Sequence, residues 1–394
     1  MSNIDELLIE FCPSGVEYTT IGSIIDKGPK SPYGVGDIQK MDRGDIVAFT
    51  SGSRSFLVND FLVEGEYIFI NDGGQADTKY YNGKAMYSDH VFAFTTHKAS
   101  VRYMFHYLLK INDSINNDYF RGGGIKNLIK KDFLNILIPV PPLEVQEKIV
   151  HILDNFSELT AELTAELTAR KKQYEYYRDK LLSFNTNVQF KKMSDLCVSI
   201  KDGMHSLPKT SNDDEYPILS AQNINNGTID YDSQRFVDKN TYLSEQKRIN
   251  IEKGDVLLTI VATIGRTAVV KDNNKFLLQR SVCVLKPKNN INSYYLKYYL
   301  DTYAMQEYMQ RNAHGSAQAG LYLNQVADIQ IPVPSIEIQE KIVYVLNNFD
   351  SICSNLNIGL PAEIEARQKQ YEYYRDRLLS FNLRVDSSEM RGGH

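Results

Sequence analysis

His90, His97 and His106 fall within seventeen residues, close enough to raise the question of a metal site. Zinc-type sites need three or four ligands, with Cys, His or carboxylate partners at fixed spacing. No such pattern accompanies these histidines, so surface or core roles are expected and no metal is assigned. Cys12, Cys197, Cys283 and Cys353 are scattered without a CxxC pair, which reads as reduced thiols of a cytoplasmic protein. A GxxxxGK(S/T) phosphate loop is missing, so no NTP-driven motor is suggested. The Asp/Asn-Pro-Pro-Tyr/Phe signature of adenine methyltransferases is also missing, because Pro141-Pro142 stands between Val140 and Leu143. Tyr33-Gly-Val-Gly-Asp37 reads as a turn and not as a cofactor loop. The chain is expected to catalyse nothing and to hold no cofactor of its own.

The elements around these residues are more informative. With 394 residues, 42% hydrophobic and 24% charged, the chain suits a soluble globular protein of two domains. No apolar run approaches the roughly 20 residues of a membrane span, and the acidic start MSNIDELLIEF does not read as a secretory signal. KKQYEYYRDKLLSFN (Lys171 to Asn185) returns as QKQYEYYRDRLLSFN (Gln368 to Asn382), identical at thirteen of fifteen positions. Upstream, PVPPLEVQEKIVHILDNF (Pro139 to Phe156) returns as PVPSIEIQEKIVYVLNNF (Pro332 to Phe349) at an offset of 193. The offset also matches Gly122 to Gly315, Leu128 to Leu321 and Ile136 to Ile329. Val188, Phe190, Met193 and Leu196 follow the first copy as Val16, Tyr18, Ile21 and Ile24 begin the chain. This cyclic order predicts approximate two-fold symmetry, with the C-terminal helix ending near the start of the first domain.

Each globular unit shows strand signals, such as Gly65–Ile70, His90–Thr95, Asp255–Ala262 and Ser281–Pro287. Each also has one amphipathic helix, at Val101–Lys110 or Ser293–Met309, and closes on a short Pro-terminated strand. A heptad-like seam then runs through Val145, Ile149, Ile152, Phe156, Leu159, Leu163, Leu167, Tyr174, Tyr177 and Leu181. Its second copy runs through Ile338, Ile342, Val345, Phe349, Ile352, Leu356, Ile364, Tyr371, Tyr374 and Leu378. One additional four-residue step there, at Gly359-Leu360-Pro361, predicts a break and accounts for the offset growing from 193 to 197. The first helix is expected to be continuous from about Leu143 to Phe184, roughly 60 Å long. The expected fold class is α+β: two pseudo-two-fold-related mixed α/β domains separated by two long antiparallel coiled-coil helices. The expected boundaries are 1–142, 143–185 (helix), 186–335, 336–382 (helix) and a disordered or cloning-derived tail at 383–394.

Two variable units, each ending in IPVP and a QEKI element and followed by a long helix with QYEYYRD, resemble the specificity subunit of type I restriction–modification systems. The resemblance covers essentially the whole chain. It implies two target recognition domains, each reading half of a bipartite double-stranded DNA site, with the helices setting the unread spacer. It further implies two methyltransferase subunits as partners, with endonuclease/translocase subunits in the full complex. S-adenosylmethionine, ATP and Mg would then belong to those partners. Each TAEL unit in Thr160–Leu167 adds about 6 Å of rise and about 40° of rotation. One unit more or less is thus expected to shift the tolerated spacer by about one or two base pairs, an outcome that spacer-length variants would show.

Base readout requires polar side chains on loops that reach a groove. Two loop sets occur at matched positions. One is the glycine turn, with Arg121, Gly123, Lys126 and Asn127 in the first unit and His314, Ser316 and Gln318 in the second. The other is the loop between paired strands, with Gln75, Lys79 and Tyr80, and Thr263, Arg266 and Thr267. The adjacent strand starts add His90 in one unit and Gln279, Arg280 and Ser281 in the other. Tyr176, Arg178, Tyr373 and Arg375 are expected to face off the seam toward a partner. A stand-alone DNA-binding regulator resembling a fused dimer is the alternative; the net charge of −5 argues against tight solo binding.

Overall fold

The computed structural model describes residues 12, 15–52, 54–184, 188–206, 215–232, 235–315, 319–354 and 359–382. Leu356, Ser316, Gln318 and the tail at 383–394 lie outside them. The chain divides into two compact units, Met1–Glu162 with Ile364–His394, and Leu163–Glu363.

In the first unit a six-stranded sheet runs in the order Asp26–Lys27, Val91–Thr95, Val63–Asn71, Thr78–Tyr87, Ile46–Phe49, Phe56–Val58. Ile46–Phe49 pairs in parallel with Thr78–Tyr87, and the other pairings are antiparallel. Successive residues of a strand face opposite sides of a sheet. Ile68 and Ile70 accordingly pack with the helix Val101–Lys110, while Phe69 meets Phe49 and Tyr87 on the other side.

The second unit repeats this plan. Cys197–Asp202, Val282–Pro287, Val256–Thr259 and Thr267–Val269 form an antiparallel sheet in that order, matching the first four strands of the first unit. Leu277–Leu278 then pairs in parallel with Tyr216–Leu219, which pairs with Phe236–Val237. Where the first unit has a short connection, Leu219 leads here into a tight turn at Ala221–Asn223 and the ribbon Ile224–Asn225/Thr228–Ile229. The helix expected over Ser293–Met309 is two helices, Ser293–Leu300 and Tyr303–Arg311. Thr302 is extended between them, and the half-buried Asp301 carboxylate takes a hydrogen bond from Thr267 and an ion pair from Lys297.

Each unit's first and last strands pair with one another. Tyr18–Thr20 meets Leu137–Pro139 with Tyr18 opposite Pro139, and Phe190–Lys192 meets Gln330–Pro332 with Phe190 opposite Pro332. The glutamine of each QEKI element, which sequence reasoning left without a role, then locks the departing helix. Gln146 accepts from the Ser100 amide (2.8 Å) and donates to the Pro141 carbonyl (2.7 Å). Gln339 accepts from the Asn292 amide (2.8 Å) and donates to the carbonyls of Pro334 (3.0 Å) and Asn290 (3.2 Å). Ser100 and Asn292 are the N-caps of the amphipathic helices, so one amide side chain ties a helix start to a helix start.

The long helix is continuous over Leu143–Leu181. The C-terminal copy is two helices, Ile336–Ser354 and Leu360–Leu378, and Pro361 sits in the first turn of the second, where no amide hydrogen is needed. The expected seam is only partly the buried stripe. Val145 and Ile149 are buried, yet against their own globular unit, beside Tyr103, Leu108 and Ile138, and Leu153 joins them. In Ile336–Ser354 the buried residues are Gln339, Ile342, Val343, Leu346 and Cys353, whereas Ile338, Val345 and Ile352 are exposed. The helix Ser293–Leu300 takes that face, with Tyr295, Leu296 and Tyr298 in the same buried cluster as Ile342, Val343 and Leu346. Ile152, Phe156, Leu159, Leu163, Leu167, Tyr174, Leu181, Phe349, Ile364 and Tyr374 are half-buried, Tyr371 and Leu378 are buried, and Tyr177 is exposed.

Within the first unit Phe156 stacks on Tyr374 (5.1 Å), and within the second Phe349 stacks on Tyr177 (5.8 Å). These are equivalent pairs in the repeat with the roles of the two copies exchanged. The end of the chain also closes on the first unit. The Val16 amide donates to the Asn382 carbonyl (3.0 Å), and the Tyr18 hydroxyl donates to that of Phe381 (2.9 Å).

Candidate nucleic-acid interface

The glycine turn and the loop between paired strands are joined directly in both units. In the first, the Gly74 amide donates to Lys126 (2.8 Å) and the Leu128 amide to Asp72 (2.9 Å). In the second, the Ala262 amide donates to Ala319 (3.2 Å) and the Leu321 amide to Ile260 (2.8 Å). Leu128 and Leu321, and Lys126 and Ala319, are equivalent at the offset of 193, so one backbone clasp is built twice.

A cleft lies beside each clasp. The first, about 710 Å3, is lined among others by Ser51, Asn71, Gln75, Asp77, Ile125 and Lys126. The second, about 750 Å3, is lined among others by Ser220, Asn223, Arg235, Thr263, Gln279 and Arg280. Of the residues singled out in the sequence, Gln75 and Lys126 line the first cleft, and Thr263, Gln279, Arg280 and Ser281 the second. Arg121, Gly123 and Asn127 are exposed on the same glycine turn. Lys79 pairs with Asp77 at the rim. His90 is exposed beside Asp72, which also binds Lys130 at 2.7 Å.

Other residues point elsewhere. Tyr80 turns to the helix side, where its hydroxyl meets Glu66 (2.5 Å) and Arg102 lies over its ring; burial and Glu66 push the phenol well up. Thr267 is buried on Asp301. Arg266 is exposed and reaches the Ile224 carbonyl at 3.4 Å. His314 is exposed and stacks against Tyr322. Sequence reasoning missed Ser51, Asn71, Ser220, Asn223 and Arg235. Ser51, Ser220 and Asn223 follow, and Arg235 precedes, strands whose connections differ in length between the units, while Asn71 ends the strand Val63–Asn71, so no matched loop position flagged them.

Ala262 has φ +67°, and its equivalent Gly74 has φ +87°. A side chain in this left-handed region is strained. Ala262→Gly is therefore expected to stabilise the second unit by about 0.5–1 kcal/mol, read as a raised denaturant midpoint, after the entropy cost of glycine is offset.

Tyr176 and Tyr373 are exposed. Arg178 and Arg375 are not: each is folded back on the next residue, Asp179 or Asp376, and over the ring of Tyr174 or Tyr371. Their place beside the exposed rings is taken by Lys180 and Arg377, one turn on, at 5.7 and 6.0 Å from the ring centres. No group of three or more metal-ligating side chains occurs among the described residues, and no described helix is long and apolar enough to cross a membrane.

Two clefts, each beside the same backbone clasp on a repeated α+β frame, define a tandem-repeat protein. The family model for the type I restriction modification DNA specificity domain matches residues 13–170 and 185–366, and the chain belongs to that family of specificity subunits. It is 29% identical to a putative type I restriction enzyme specificity subunit of Haemophilus influenzae, covering 86% of this chain and 89% of that one. It is 28% identical to a type I restriction enzyme specificity subunit of Escherichia coli, covering 93% and 94%. The solved S subunit of a type I restriction-modification system from M. genitalium shares the fold, with a TM-score of 0.59 at 15% identity over 93% of this chain and 96% of that one.

Proposed function

We propose that each unit reads one half of a bipartite DNA site through its cleft, and that the two helix copies pair antiparallel to fix the unread spacer. The duplicated clasp carries this reading, since it brings polar side chains from separate loops to one cleft in both units. The equivalent stacks of Phe156 on Tyr374 and Phe349 on Tyr177 support the helix pairing. The chain acts as a scaffold without catalysis of its own. Tyr176 with Lys180, and Tyr373 with Arg377, offer the same surface twice, which suits two copies of a methyltransferase subunit. Endonuclease/translocase subunits complete the complex, and S-adenosylmethionine, ATP and Mg are handled by the partners.

Selection of duplexes from a random pool, using the full chain with its co-purifying subunits, should return a split motif. Methylome sequencing of the host should lose that motif when the chain is deleted. Arg280→Ala should cost about 1–3 kcal/mol at one position of one half only. Lys126→Ala should weaken all duplexes alike and lower the salt slope by about one. A single uninterrupted motif, or intact methylation in the deletion strain, would overturn the proposal.

A further inference from the structure

The glycine turn of the first unit closes a small hairpin, with Phe120 opposite Leu128 and Arg121 opposite Asn127. Gly122 has φ +151°, and a Cβ there would meet the Ile125 carbonyl oxygen at 2.8 Å, so the loop folds tightly on itself. Gly123 and Gly124 have open space where side chains would stand. From this bare apex projects one apolar side chain, Ile125, 77% exposed and on the wall of the cleft. Leaving an isoleucine in water forgoes the gain of burying it, and Ile125 belongs to none of the hydrophobic clusters among the described residues. Arg121 and Lys126 flank it, and neither side chain makes a hydrogen bond or ion pair among the described residues. The result is a slender loop with a hydrophobic tip and two uncommitted cations at its base.

We infer that Ile125 is a wedge that enters between two base steps of the half-site held by the first unit, from the minor groove, and unstacks them. Arg121 and Lys126 hold the flanking phosphates. Apolar wedges on basic minor-groove elements kink duplexes in this way, and flanking glycines let the backbone approach the groove closely. The inference rests on the DNA-recognition reading above and adds a deformation that reading does not require. It is also one-sided: the residue equivalent to Ile125 at the offset of 193 is the polar Gln318. Only one half-site is therefore unstacked.

The test uses the full chain with its co-purifying subunits, the duplex obtained by random-pool selection, and the variants Ile125→Gln and Ile125→Leu. Ile125→Gln installs the second unit's residue. It should weaken binding to the intact duplex about tenfold or more, and recover to within about twofold of wild type when one step of the first unit's half-site is mismatched. Ile125→Leu should bind both duplexes as wild type does. 2-Aminopurine placed at that step should brighten on binding wild type and stay dark with Ile125→Gln. Equal binding by wild type and Ile125→Gln, or a loss that the mismatch does not restore, overturns the wedge while leaving the recognition reading intact. Failure of the pool to yield any selected duplex overturns both.

Discussion

Gln339→Leu is expected to lower the unfolding free energy of the second unit by about 3 kcal/mol or more, seen as a lower denaturant midpoint at unchanged slope. Leucine fills nearly the same volume, so little of the loss comes from packing. The loss comes from the Asn292 amide and the Pro334 and Asn290 carbonyls, which Gln339 satisfies in a place fully closed to solvent. Each buried polar group left without a partner costs about 1–3 kcal/mol. Gln339→Glu should do no better, because a carboxylate cannot donate to two carbonyls. Gln146→Leu is the matching change in the first unit, where two hydrogen bonds are lost, and should follow with the same sign and a smaller size. A Gln339→Leu midpoint indistinguishable from wild type would remove the locking role.

Acidification should loosen the first unit before the second. His106 is buried between three elements. Its Nε2 donates to Asp154 (2.8 Å), its Nδ1 accepts from the Tyr371 hydroxyl (3.1 Å), and Arg102 also binds Asp154 (2.8 Å). Burial, with smaller help from Arg102 and Arg375, holds the imidazole below its usual range in spite of Asp154. Burial also pushes the Tyr371 phenol up to about 12, so it stays a donor. Burial alone would raise the Asp154 carboxyl, but His106 and Arg102 outweigh it and hold it below its usual range.

The folded state thus binds fewer protons than the unfolded one. Stability is fully present above about pH 6.5 and falls as pH drops below it, by up to about 1.4 kcal/mol per unit. Asp154 adds a further loss below about pH 4. The second unit has Tyr298 donating to Asn347 (2.6 Å) at the equivalent positions, a pair with no charge to gain there. Installing that pair with His106→Tyr and Asp154→Asn should flatten the slope between pH 5 and 6.5 relative to wild type. A double variant with the wild-type slope would assign the acid sensitivity elsewhere.

The repeat made much of this fold legible. An offset constant over Pro139 to Phe156 marked the start of each helix, and the helices begin there, at Leu143 and Ile336. The cyclic order likewise pointed to the C-terminal helix ending near the start of the first domain, where the Val16 amide meets the Asn382 carbonyl. Periodicity failed where two apolar faces competed. A heptad count could not show that Ile342, Val343 and Leu346 turn to Tyr295 and Tyr298 while Ile338 and Val345 stay outside. Nor could it show that Arg178 and Arg375 would be claimed by the aspartates beside them. At the clefts, matching between copies found the clasped loops because their backbone geometry is shared. It was blind to Ser51 and Arg235, which lie where the connections of the two copies differ.

The closure of the chain's end on the first unit also bears on the order of its synthesis. Domains commonly fold as they emerge, the earlier one first. Here Tyr371, Leu378 and Leu379 belong to the same buried cluster as Val145 and Ile149, and Val16 waits for the carbonyl of Asn382. The second unit is a single uninterrupted stretch, Leu163–Glu363, that precedes those residues in the chain and so emerges before them. The domain begun first is therefore the one finished last. Until Asn382 reaches it, the incomplete apolar face of that domain is the surface a chaperone or a protease would meet.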